Sequence, residues 1–514
     1  MNNTEFVSAL NEYSFSGEND KILRILNALL DSGEYKAYLN LVFNAISLTQ
    51  MYGFLSYLNL NERASFLAWD KMRSDSYAGK IMPYYNSGQL SLLLELEKYQ
   101  KIFLSAPTSF GKTSLLLEFI IQHYKSLANV LIIVPTNSLL EELYIKLIDN
   151  NRTFQMNYCI STQPYFRRGL RNFLIVTPER FLLLYEGCDL SSFDIIIMDE
   201  TYKIVDSRNE HISDFIEARS VRFRKVADII GQTNNRLILL SPFTYELTDS
   251  MERYLMRHGI KKIDRKIEYV NKEIYQIADT ESFKNYFKIR VVGYTKSASI
   301  SQKTNILLRV LQDEKNIVYV SQYAKAYEIV EMLNWTRKAK VTERYLKFIT
   351  HLEKTYSIDD AYEWKIISAL KKGVGIYISP LPRYIKREII NLFEEDVIGT
   401  LIVTTSFTEG VNTSASNLIF TSLINGPTTN RLSDIDVLNV SGRAGRFARN
   451  SIGKVYCITA EVYEKVTQLQ QEAQIRLENH DGHITIAELQ EERYDKSIFD
   501  EYEQLMLSDF LSIL

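Results

Sequence analysis

A chain of 514 residues has room for three or four domains, and its 46% hydrophobic and 24% charged residues are those of an ordinary globular protein. The net charge of −3 gives no overall basic excess, so any nucleic-acid partner must be met by local clusters. Three well-separated cysteines, Cys159, Cys188 and Cys457, exclude a disulfide framework and a cysteine zinc site. The start of the chain lacks a basic-then-apolar leader and no apolar run reaches spanning length, so the expected setting is a reducing cytoplasm with no membrane partner.

Residues 1–85 read as a helical accessory domain. Leu23, Ile25, Leu26, Leu29 and Leu30 recur at helical spacing, as do Leu39, Leu41, Val42 and Ile46, with breaks at Gly33 and Gly53. The aromatic residues here, among them Tyr35, Phe43, Tyr52 and Phe54, are expected in its core. Gln89 follows, at the start of an apolar amphipathic segment. Its amide can both donate to and accept from the edge of an adenine, and a plain surface glutamine is the alternative.

The apolar run ending at Leu104 leads into Ser105-Ala106-Pro107-Thr108-Ser109-Phe110-Gly111-Lys112-Thr113-Ser114 and then a helix-patterned segment. Strand, phosphate-binding loop and helix are expected in that order. Gly111 lets the backbone approach phosphates, Lys112 reaches the β- and γ-phosphate oxygens, and Thr113 offers a hydroxyl to Mg²⁺. Ala106, Thr108 and Ser114 complete the ATP-binding loop. Further strand–helix alternations, through Val130–Val134 and Leu174–Val176, argue for a parallel α/β sheet. Pro135, Thr136, Thr177 and Arg180 lie just past those strand ends, where open α/β sheets bind ligands. The threonine hydroxyls suit backbone phosphates of a nucleic acid, with helix N-caps as the competing role. Ile195–Met198 then delivers Asp199 and Glu200 from the end of a buried strand, the first to hold Mg²⁺ and the second to polarise an attacking water.

These segments, in this order, resemble the motifs of superfamily-two DExH helicases. The likeness continues through Leu237-Ile238-Leu239-Leu240-Ser241-Pro242, Leu381-Pro382-Arg383, Leu401–Ser406, Phe407-Thr408-Glu409-Gly410-Val411-Asn412 and Ser441-Gly442-Arg443-Ala444-Gly445-Arg446. It covers residues 85–465 and is most similar to the Ski-type branch. The resemblance implies two tandem RecA-like domains, parallel sheets with helices on both faces, of an ATP-hydrolysing helicase using ATP and Mg²⁺ and moving 3′ to 5′. It implies arginine fingers at Arg443 and Arg446, cleft-lining roles for Gly410 and Asn412, and nucleic-acid contacts at Thr404 and Thr405. Fingers of this kind stabilise transition-state charge and tie hydrolysis to domain closure.

Five positions depart from the family pattern. Tyr377 and Ile378 stand where two histidines are usual, Pro380 replaces a glycine, Asn439 a glutamine and Tyr202 a histidine. They bear on coupling and substrate preference more than on hydrolysis.

The expected division is 1–85 helical, 86–268 the first RecA-like domain, 269–465 the second with a helical insertion at 334–366, and 466–514 an acidic helical tail. A single strand or partial duplex, DNA favoured over RNA, is the expected track. Compact helicases of this kind include the helicase subunit of Hachiman-type antiphage systems, which puts antiphage defence beside DNA repair and RNA turnover, with a nuclease effector as a protein partner. The other functional class is an ATP-gated clamp that regulates such an effector without processive unwinding.

Overall fold

The computed structural model describes residues 3–16, 20–70, 78–204, 214–242, 246–247, 249–266, 269–289, 293–333, 340–356, 364–378, 380–404, 407, 413, 415–426, 431–445, 452–472 and 476–477. The first unit is helical, with α1 (Asn3–Ser16), α2 (Asp20–Ser32), α3 (Leu39–Thr49) and α4 (Leu60–Trp69). Gly33 ends α2 in the left-handed region, φ 76°, and Asn59 caps α4 by accepting the Glu62 N–H at 2.9 Å. Phe6, Leu26, Ile46, Tyr52, Phe54 and Phe66 close a core of its own. Tyr35, Phe43, Tyr52 and Phe54 are buried as expected, while Tyr38 and Tyr57 are only partly buried.

A strap over 78–85 follows, then α5 (Ser87–Lys98) and β1 (Lys101–Ser105). The first α/β half continues with α6 (Lys112–His123), β2 (Asn129–Ile133), α7 (Asn137–Thr153), β3 (Cys159–Ser161), β4 (Asn172–Val176), α8 (Pro178–Gly187), β5 (Ile195–Met198), α9 (Asp214–Gly231), β6 (Arg236–Ser241), β7 (Glu246–Leu247), α10 (Asp249–Arg257) and β8 (Lys261–Asp264). Seven of these strands form one sheet in the order β3-β4-β2-β5-β6-β1-β8, and every pairing is parallel. Strand alternation divides its apolar residues between two cores. Leu131 and Ile133 of β2 face one, Val130 and Ile132 the other.

The second half carries β9 (Asn271–Gln276), α11 (Thr280–Phe287), α12 (Ile300–Val310), β10 (Asn316–Tyr319), α13 (Tyr323–Met332), α14 (Glu343–Tyr356), α15 (Lys365–Lys371), β11 (Val374–Tyr377), α16 (Arg383–Glu394), β12 (Thr400–Val403), β13 (Asn417–Phe420), α17 (Asp434–Ser441), β14 (Ile452–Cys457) and α18 (Ala460–Glu472). Its sheet runs β11-β12-β10-β13-β14-β9, again parallel throughout. These are two tandem RecA-like sheets with helices on both faces, behind a helical N-terminal unit. Of the stretch read as an insertion, α14 is described and 334–339 and 357–363 lie outside the described residues.

The segment beyond α18 differs from the helical expectation. β15 (Arg476–Leu477) pairs in parallel with β7, returning the chain to the first half. Residues 478–514 lie outside the described residues, and with them the acidic Glu478, Glu488, Glu491 and Glu492 and the apolar Phe510-Leu511.

Candidate active site

Because all strands of the first sheet run one way, the segments after β1, β2, β4 and β5 emerge at one end. The loop after β1 makes a short turn over Thr108–Phe110 and reaches α6 through Gly111 at φ 86°. That left-handed step favours glycine. It lets α6 begin at Lys112, with its first N–H groups facing the loop. Lys112 Nζ donates to the carbonyls of Ala106 at 2.6 Å and Pro107 at 3.1 Å. Burial pulls its ammonium below the ordinary lysine range, and the carboxylates of Glu200 and Asp199 pull it back up. Thr108 Oγ1 is buried and makes no hydrogen bond.

Gln89 is buried beside this loop. Its Oε1 accepts the Asn86 N–H and its Nε2 donates to the Phe110 carbonyl, both at 2.9 Å. Both ends of the amide are thus engaged in holding the loop, and this residue is not the exposed glutamine of the competing reading.

The acidic pair sits where β5 ends. The Asp199 N–H donates to the Ile133 carbonyl at 2.9 Å, and Asp199 Oδ1 accepts the Glu200 N–H at 2.8 Å. Burial raises the Asp199 carboxyl above the usual range, opposed by Lys112. Glu200 has φ 53°, a left-handed conformation that costs about 1–3 kcal/mol in a non-glycine residue and concentrates at functional sites. Thr201 Oγ1 secures the turn by donating to the Leu240 carbonyl at 2.5 Å.

The opposite wall comes from the second half. α17 starts on a Ser433 cap and ends at Gly442, packed so closely on the loop after β1 that a carbon added at Gly442 would lie 2.7 Å from Thr108 Oγ1. Arg443 follows, its guanidinium carbon 5.6 Å from the centre of the Phe407 ring. Burial lowers its affinity for the proton, while Glu200 and Glu142 raise it. Phe407 in turn meets Tyr377 edge-on at 5.5 Å. Two departures from the family pattern meet here: Asn439 Nδ2 donates to the Tyr202 hydroxyl at 3.2 Å, with both residues buried. A shorter amide thus reaches a longer partner across the cleft. Arg383 and Glu141 form a second bridge between the halves at 3.8 Å.

Thr136 caps α7, accepting the Leu139 N–H at 3.3 Å. Thr177 occupies the cap position of α8 without a side-chain cap bond. Arg180 Nη1 donates to the Thr162 carbonyl at 3.0 Å. Thr404, just past β12, is buried and its carbonyl accepts the Phe407 N–H at 2.9 Å. Several basic residues are tied into the fold. Arg171 lies 4.6 Å over the Tyr158 ring, Arg222 pairs with Glu179 at 3.5 Å, and Arg265 with Glu95 at 2.5 Å. Arg167 and Arg168 remain exposed. Thr405, Glu409, Gly410, Asn412 and Arg446 lie outside the described residues.

Residues 86–248 match the family model of the DEAD/DEAH box helicases. The matched segment holds the loop after β1, the acidic pair after β5 and the strand ends between them. Residues 86–248 form a DEAD/DEAH box helicase domain. Over longer stretches the chain is similar to Anti-bacteriophage protein B of Escherichia coli (strain K12), 21% identical across 84% of this chain and 55% of that protein. It is also similar to the Hachiman protein HamB of Bacillus cereus, 22% identical across 73% of this chain and 36% of that protein. A shorter match, 33% identical, joins 19% of the chain to 9% of the ATP-dependent RNA helicase mtr4 of Schizosaccharomyces pombe. The chain thus spans about half or less of the length of these relatives. No helix among the described residues is long and apolar enough to cross a membrane.

Three contributors around the helicase domain gave no sign in the sequence of the contacts they make. Glu142 acts on Asp199 and Arg443 from α7, Phe407 carries Arg443, and Tyr269 stacks on Phe110 of the loop, centroids 5.9 Å apart. Each depends on a contact between segments distant in sequence.

Proposed function

We propose that the chain is an ATP-dependent nucleic-acid helicase or translocase acting in the cytoplasm. The observation that carries this reading is the meeting of Lys112, Asp199 and Glu200 with Arg443 in one cleft between two parallel sheets. In this reading Lys112 exchanges the carbonyls of Ala106 and Pro107 for phosphate oxygens, and the buried hydroxyl of Thr108 gains an acceptor. Thr113 and Asp199 hold Mg²⁺. Glu200 orients the attacking water, and Arg443 with Arg446 neutralises charge on the transferred phosphoryl group. Gln89, Gly410 and Asn412 border the nucleotide.

The nucleic-acid strand runs over the strand ends, past Pro135, Thr136, Thr177 and Arg180 on one half and Thr404 and Thr405 on the other. Closure changes the spacing of the two halves and so the grip on the strand. Similarity to Anti-bacteriophage protein B and HamB supports a role in antiphage defence. DNA as the track and a nuclease effector as a partner are further parts of the proposal.

Strand displacement on matched DNA and RNA partial duplexes, each with a 3′ or a 5′ overhang, tests this reading. ATP-dependent displacement of DNA from a 3′ overhang is expected. ATP hydrolysis stimulated by single strands, without displacement on any substrate, would replace it with the ATP-gated clamp.

A further inference from the structure

The N-terminal helical unit has no part in the reading above, yet it is bonded to the joint between the halves and, through Asn86 and Gln89, linked to the loop that receives phosphates. Asn27 of α2 is fully buried. Its Nδ2 donates to the Tyr269 carbonyl at 3.3 Å and to Asn271 Oδ1 at 2.6 Å. Both oxygens belong to the stretch that leads from β8, the last strand of the first sheet, into β9 of the second. A buried amide group that is bonded is favoured over one that is not; Asn27 Oδ1 makes no bond, and both bonds of its Nδ2 are spent on the joint, outside its own helical unit.

The joint is in turn fastened to the phosphate loop. The ring of Tyr269 stacks on Phe110, and its hydroxyl is hydrogen bonded with the Asn86 side chain. Asn86 Oδ1 accepts the Gly53 N–H from the helical unit at 2.9 Å. The Asn86 N–H donates to Gln89, whose other end holds the Phe110 carbonyl. On the far side, Asp31 Oδ2 accepts the Ile452 N–H at 3.1 Å, at the start of β14. One small helical body therefore holds the first half at Asn86, the second at Ile452 and the joint at Tyr269.

We infer that Asn27 is a positioning residue for ATP hydrolysis: through it the N-terminal helical unit fixes the 269–271 joint and thereby the approach of Arg443 to the phosphate loop. The inference rests on the ATPase reading. Closure of two halves concentrates its backbone change in a few joint residues. A joint whose tyrosine lies on Phe110 cannot turn without moving the loop, so joint angle and loop conformation change together.

The test uses the full chain and Asn27→Leu, which keeps the side-chain volume and removes both bonds to the joint. Dyes at Leu170 in the first half and Leu346 in the second, both exposed, report the separation of the halves by energy transfer. The probes are a non-hydrolysable ATP analogue and single-stranded DNA. The wild type is expected to settle to one closed distance, and Asn27→Leu to keep a broad distribution. Its kcat should fall about fivefold or more, with the KM for ATP within about twofold. Asn27→Gln, which retains the donor, should recover part of the loss. If Asn27→Leu does not fold, Asn271→Ala removes one partner and is read the same way. A variant that closes like the wild type and keeps its kcat, even with a lowered melting temperature, overturns the inference. A wild type without ATP hydrolysis would remove the ATPase reading instead, and the energy-transfer comparison would still decide the role of the joint.

Discussion

Glu200 is held in a left-handed backbone conformation directly after a strand that buries every residue. Such strain persists only where the surroundings determine it, here the Asp199 carboxylate under its N–H and Thr201 tied to β6. Glu200→Gln keeps the shape and removes the base. It is expected to slow turnover by about 10²–10⁴ while ATP still binds, checked by phosphate release beside binding of a fluorescent nucleotide. Equal loss of binding and turnover would contradict the role given to Glu200. Asn439 and Tyr202 make a second residue-scale test. Tyr202→Phe strands a buried amide donor, a loss of about 1–3 kcal/mol, and should depress kcat. Tyr202→His combined with Asn439→Gln exchanges the lengths of the two partners and should restore much of it. Additive losses in the double variant would mean the pair is not coupled. Each member was legible in the sequence as a departure from a pattern. Their contact was not, because 237 residues separate them and sequence spacing carries no trace of it.

At the scale of elements, what positions the loop is a buried carboxylate as well as a strand and a helix. Glu118 of α6 is fully buried. It accepts the N–H groups of Lys80 at 2.8 Å, Ile81 at 2.6 Å and Met82 at 3.4 Å, so the 78–85 strap is fastened to the helix that Lys112 and Thr113 begin. Glu118→Gln puts an amide donor against these three N–H groups and the Gln122 amide, which also donates to Glu118 at 3.0 Å. The expected loss is about 1–3 kcal/mol, which a thermal melt reads as a drop of about 2–4 °C per kcal/mol. An unchanged melting temperature would show that the strap is held elsewhere. Strands and helices themselves were largely legible, since buried parallel strands read as continuous apolar runs such as Val130–Val134 and Ile195–Met198. The role of Glu118 was not, because an acidic residue within an apolar helix gives no sign of which backbone it will meet. Gln89 shows the same limit: its position by the loop was readable, its double engagement with Asn86 and Phe110 was not.

At the scale of the whole molecule, two RecA-like sheets face each other across a cleft, with the helical unit fastened to both. The ordered motifs foretold two such halves, since the residue types at each strand end are set by phosphate chemistry. They left open what the first 85 residues do, because a helical unit with its own aromatic core reads as a separate module until its buried Asn27 is seen to bond the joint. The small strand β15 was equally hidden, being two residues long and defined only by its pairing with β7. In the helicase reading, occupancy of the cleft and grip on a nucleic-acid strand are one equilibrium. Steady-state ATPase of the full chain with and without single-stranded DNA tests it most directly. A kcat raised about tenfold or more by the strand is expected. ATP hydrolysis that proceeds at the same rate with and without nucleic acid would contradict it.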